Sequence, residues 1–101
     1  MTKTKLKAEP SKGFVEHFLS LRHELSHIKV QARGNVLTLV SNDEDGTVYP
    51  LARMKRQSVH MWHLEMPTRN GWEPTFIEGT EEELIQILIE QFPWALTFQE
   101  K

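Results

Sequence analysis

Apolar residues recur along this chain in two periods, and each change of period marks a new element. Phe14, Phe18, Leu21 and Leu25 are spaced four, three and four residues apart. At about 100° per residue this spacing lines one side of a helix, which Val15 and Leu19 broaden. Ser11 stands where an N-cap is wanted, so the helix is expected to open there. The helical pattern dissolves after Leu25, and from Ile28 the period is two. Ile28, Val30 and Ala32 alternate with Lys29, Gln31 and Arg33, which predicts a half-buried strand. Gly34-Asn35 supplies a two-residue turn, and the β-branched-rich run Val36 to Val40 predicts a more deeply buried strand.

The segment Asn42, Asp43, Glu44, Asp45, Gly46 predicts an acidic turn. Val48 to Arg56 has two readings. Leu51-Ala52-Arg53-Met54-Lys55 are good helix formers, and Pro50 suits a first helical turn. A strand is nevertheless expected, because a short helix here would leave the strands beginning at Val36 and Val59 poorly connected. The Val59 strand is expected to run to Met66, with a turn at Thr68 to Gly71 centred on Asn70-Gly71. Trp72 to Ile77 returns as a strand, where Pro74 requires an edge position or a bulge.

The second helix has the clearest boundaries. Thr80 is its N-cap, and Glu83, three residues on, completes a capping box. Glu81, Glu82 and Glu83 complement the positive end of the helix. Leu84, Ile85, Ile87, Leu88, Ile89 and Phe92 give it a wide apolar face, and Pro93 stops it. Trp94, Leu96 and Phe98 then alternate with Ala95 and Thr97, as a short final strand or a packed tail would. The predicted class is α+β: an antiparallel meander of four to five strands, with the N-terminal and C-terminal helices packed on one of its faces.

At 101 residues the chain has the length of one domain, expected over residues 12–101 behind a flexible basic tail at 1–11 that carries Lys3, Lys5 and Lys7. No apolar run approaches the roughly 20 residues that span a bilayer, and the basic start is not followed by a signal-type apolar stretch. A cytoplasmic protein with no membrane partner is therefore the expectation, and the absence of cysteine agrees with it. The net charge of −2 gives nucleic-acid binding no global electrostatic support.

His23-Glu24-Leu25-Ser26-His27 matches H-E-x-x-H, which in zinc peptidases sets two imidazoles on one helical face with the glutamate as general base. A zinc-dependent hydrolase is one reading of this chain. Against it, His23 and His27 lie opposite the Phe14, Phe18, Leu21, Leu25 side, away from any enclosed cleft. The helix is also expected to stop near the motif, and no obvious third ligand follows: His60 and His63 differ in strand parity, and Asp43, Glu44 and Asp45, the other possible ligands, sit on a turn that the pattern does not place beside it. The simpler account is a pair of solvated histidines at a helix end. No G-x-S-x-G, G-x-G-x-x-G or P-loop is present. The carboxylate runs 43–45 and 81–83 are accounted for as a solvated turn and a capped helix start. No catalytic residues or cofactor are therefore expected, zinc entering only with the hydrolase reading.

Arg53, Lys55, Arg56, His60, Trp62, Arg69 and Trp72 interleave cations with aromatic rings, the pattern of a sheet that holds single-stranded nucleic acid. By parity Arg53 and Lys55 share a face with Tyr49 and Leu51, and Arg56 takes the other. Trp62 beside Leu64 and Met66 looks instead like core beneath a helix. Three Trp, five Phe and four Met are many large side chains for one small domain. Two helices cover only one sheet face, so apolar residues on the other, Val36, Val59 and Met61 among them, need a partner. A non-enzymatic module that binds another macromolecule, and that pairs with itself as a homodimer, is the leading expectation.

Overall fold

A computed structural model describes residues 7–22, 25–42 and 45–93 of the chain. The element order is α1 (Glu9–Ser20), β1 (Ile28–Arg33), β2 (Val36–Asn42), β3 (Val48–Arg56), β4 (Trp62–Thr68), β5 (Gly71–Gly79) and α2 (Glu81–Gln91). The five strands form one sheet in sequence order, each antiparallel to the next, so the α+β meander is as expected. Residues 48–56 are a strand despite their helix formers, because β3 sits in the middle of the sheet with a ladder on each side.

Both helices lie on one face. α1 packs on β1, α2 packs on β4 and β5, and the helices touch each other. Beneath them, Ala32, Leu37, Met54 and Leu64 form one row across four strands, and Val30, Leu39 and Ala52 form the next. Val15 and Leu19 of α1 and Leu84, Ile85 and Leu88 of α2 close this core together with Trp62. The capping box of α2 is formed: Glu83 N donates to Thr80 Oγ1 at 3.2 Å, and Thr80 N donates to Glu83 Oε1 at 2.9 Å. The helix ends at Gln91, two residues before Pro93. The expected final strand at Trp94 to Phe98 lies outside the described residues.

Four expectations are corrected. α1 opens at Glu9 after Ala8, so residues 9–11, expected in the tail, belong to the helix. Ser11 is therefore not the cap. It is buried in the first turns, and its Oγ donates to Glu81 Oε2 at 2.6 Å, tying α1 to the start of α2. Of the expected apolar side, Val15, Leu19 and Leu25 are in the core and Phe18 is half-buried against it, but the buried side of α1 is turned toward Ser11, leaving Phe14 49% and Leu21 67% exposed. Val15 and Leu19 stand one position along from Phe14 and Phe18, and Ser11 and Ala8 continue their side back toward the start of the helix. Spacing alone does not choose between the two sides, and the close approach of α2 favours the one with small residues.

The fourth correction concerns β3. A bulge at Leu39/Val40 leaves Leu51 as an extra residue between the pairs Leu39↔Ala52 and Val40↔Pro50. Leu51 turns into the core beside Ala52 instead of sharing the face of Arg53 and Lys55. Smaller shifts occur at β4, which begins at Trp62 rather than Val59, and at the next turn, which is centred on Arg69-Asn70. Val59 and Met61 therefore stand in the connection before β4, not on a strand. Pro74 does sit on an edge strand, β5, opposite a register irregularity between His63 and Glu65. At one end of the sheet the Gly34-Asn35 turn gathers three segments. Gly34 adopts φ 58°, the left-handed region. Its carbonyl accepts from Ala8 N at 2.8 Å, and Asn35 exchanges hydrogen bonds with the backbone of Arg56.

Candidate functional site

Strand alternation sends every second residue of the sheet away from the helices, and no described helix covers this outer face. The pairing registers define its rows. One runs Arg33, Val36, Lys55, His63, Glu78 from β1 to β5. The next runs Gln31, Thr38, Arg53, Glu65, Pro74. A third is partial, with Lys29, Val40 and Pro50 at one side and Pro67 and Trp72 at the other. Phe76 projects between Pro74 and Glu78 and is 105% exposed, the most exposed large apolar residue described.

The face divides by charge. Lys29, Arg33, Arg53 and Lys55 lie on β1 and β3, whereas Glu65 and Glu78 lie on β4 and β5. Arg53 is the one cation of this set held in place. Its Nε donates to Glu65 Oε1, and its guanidinium lies over the Trp72 ring at 4.6 Å. Lys29, Arg33 and Lys55 are exposed. His63 Nδ1 is 3.0 Å from Gln57 Nε2 and 3.5 Å from Glu78 Oε2. On the basic side a groove of about 580 Å³ opens between Gln31, Ala32, Arg33, Val36, Thr38 and Arg53. Its side chains offer mostly donors: two guanidiniums, an amide and a hydroxyl around the Val36 floor.

The residues singled out from the sequence do not form one cluster. Arg53, Lys55 and Trp72 share the outer face. Trp62 is fully buried on the helix side. Arg56 is on that side too, with its guanidinium 5.3 Å from the Trp62 ring. Its Nη1 donates to Lys7 O at 2.8 Å, its Nη2 to Val59 O at 2.7 Å and its Nε to Ser58 O at 3.3 Å. This guanidinium pins backbone and is not offered to a ligand. His60 is exposed in the 57–61 connection, and Arg69 is exposed in the β4–β5 turn at the opposite end of the sheet.

His23 and Glu24 lie outside the described residues. α1 ends at Ser20, so it does not carry the H-E-x-x-H segment, and His27 is half-buried just before β1. Among the described residues no three His, Asp or Glu side chains gather as metal ligands, and no helix is long and apolar enough to cross a membrane.

Arg33, Gln31, Thr38, Phe76 and Glu78 were not singled out from the sequence. For the first three a signal was present. Pairing across the Gly34-Asn35 turn sets Arg33 against Val36 and Gln31 against Thr38, and β2–β3 pairing carries that row to Arg53. Phe76 had no such signal, since its exposure depends on the irregular β4–β5 register. Comparison with protein-family models, curated proteins and solved structures finds no match to this chain.

Proposed function

We propose that this chain is a non-enzymatic binding module that acts on another macromolecule and associates with itself, using the outer face of its sheet. One observation carries the reading: the outer face combines exposed Phe76 and half-buried Val36, Pro67 and Trp72 with exposed cations. A solvated antiparallel sheet face is ordinarily polar at its outward positions. Leaving one large apolar side chain in water forgoes roughly 1.5–3 kcal/mol of burial, which a partner would recover. Sedimentation velocity over a wide concentration range tests this. Wild-type protein is expected to associate, and Phe76→Ser, which removes an exposed ring and no core contact, to weaken association at least tenfold. Association unchanged by outer-face substitutions would refute the reading.

A second reading draws on Arg53, Lys55 and Trp72 sharing that face: cations for phosphates and a ring for stacking, as in single-strand binders. It requires affinity for an oligothymidylate that falls steeply with salt, measured by fluorescence anisotropy. The pairing of Arg53 with Glu65 and the carboxylates on β4 and β5 make it the weaker of the two.

A further inference from the structure

We infer that the partner on the outer face is a second copy of this chain, related by a two-fold axis parallel to the strands and passing over β3. The inference rests on the outer face being the working surface and specifies what covers it. Neither edge of the sheet suits self-pairing. A β1 edge would bring Lys29 and Arg33 against their own copies, and β5 carries Pro74 and an irregular register. Face-to-face packing remains, and for aligned sheets a two-fold axis between them runs close to either across the strands or along them. Across the strands, each strand lies over its own copy, and the cations of β1 meet cations. Along the strands, β1 lies over the partner's β5 and each row lies over itself reversed.

The second arrangement pairs opposite charges at the ends of the first row, and sets like charges opposite only on the axis, where Lys55 and Arg53 lie over their own copies. Arg33 and Glu78 are the two ends of one row, so each Arg33 faces the Glu78 of the other copy. Lys29 and Trp72 end the third row and face each other in the same way, a cation over a ring. Thr38 faces Glu65, a hydroxyl donor against a carboxylate. Phe76 lies between the ends of the first two rows on β5, and the symmetry-related position on β1 is between Arg33 and Gln31. That position is the groove lined by Gln31, Arg33, Val36 and Thr38. The most exposed ring described therefore falls on the groove of the outer face, twice per dimer. Packed sheets cross at about −30°, which displaces the row ends, ~10 Å from the axis, by ~5 Å. This is more than half of the roughly 7 Å between rows on one face, so the Arg33 to Glu78 contact is made through the length of the two side chains and not by residues directly opposite.

The area fits a reversible dimer. Five strands about 4.8 Å apart and about seven residues long present a plate of roughly 500 Å², so two plates bury at most about 1,000 Å², the size of a weak, reversible interface.

The test uses charge reversal in the full-length chain, read by native mass spectrometry and sedimentation equilibrium. Wild type is expected to dimerise. Arg33→Glu and Glu78→Arg are each expected to be monomeric at concentrations where wild type is dimeric, because each sets like charges opposite one another twice. Their equimolar mixture is expected to form a heterodimer. In it the introduced carboxylate faces the introduced guanidinium, the remaining Arg33 faces the remaining Glu78, and both contacts pair opposite charges. Heterodimer formation also shows that both variants are folded. A wild type that stays monomeric up to millimolar concentration overturns the inference, as does a mixture that stays monomeric. If Phe76→Ser dissociates a wild-type dimer that charge reversal leaves intact, the two-fold arrangement fails while the outer-face reading stands. If no outer-face substitution affects association, both fail.

Discussion

Arg56 and Arg53 are three residues apart, and the fold gives them opposite employment. Arg53 stands on the outer face against Glu65 and Trp72, whereas Arg56 holds the carbonyls of Lys7, Ser58 and Val59 over the buried Trp62 ring. Strand parity separates the two in the sequence. What parity does not show is that three loop carbonyls converge on Arg56, because the 57–61 connection has no periodicity to read. Arg56→Ala is expected to destabilise the domain by about 2 kcal/mol in urea unfolding, since the group is partly exposed and its bonds are charge-assisted. Hydrogen exchange should quicken at residues 57–61. Arg56→Lys should recover only part of the loss, because a lysine ammonium lacks the planar fork that serves three acceptors.

At the scale of elements, local chemistry is most legible where a terminus is marked by side chains. Thr80 and Glu83 specify the start of α2 to the residue, and Thr80→Ala is expected to cost about 1 kcal/mol, read as a fall in thermal midpoint of about 4–8 °C. β1, β2 and the Gly34-Asn35 turn are equally legible, as period-two segments around a glycine in the left-handed region. α1 is legible as a helix, with Val15, Leu19 and Phe18 toward the core, but not in how far its buried side turns away from Phe14 and Leu21 toward Ala8 and Ser11. The approach of α2 and the Ser11 to Glu81 hydrogen bond set that turn. Leu51 departs from its strand parity for a related reason. A bulge inserts one residue into a period of two, and nothing local to Leu51 announces it.

For the whole molecule, the question is what the outer face meets. The two proposed partners give opposite signs for one substitution. Under the two-fold arrangement β3 lies on the axis, and Lys55 approaches the Lys55 of the other copy. Lys55→Met removes a like-charge pair and is expected to tighten self-association several-fold in sedimentation equilibrium. On a nucleic-acid surface the same change removes a phosphate contact, so oligothymidylate binding would weaken and its salt dependence would become shallower. The candidate site was only partly legible in the sequence. Arg53, Lys55 and Trp72 were marked by type, but Arg33 and Glu78 acquire their relation only when five strands are laid side by side. Pro74 carries a further consequence. Among the described strands, the last is interrupted by a proline and the first is lined by Lys29 and Arg33, so both rims oppose the templating of another strand. The broad surface can then carry the association proposed for it while the rims oppose fibrous growth.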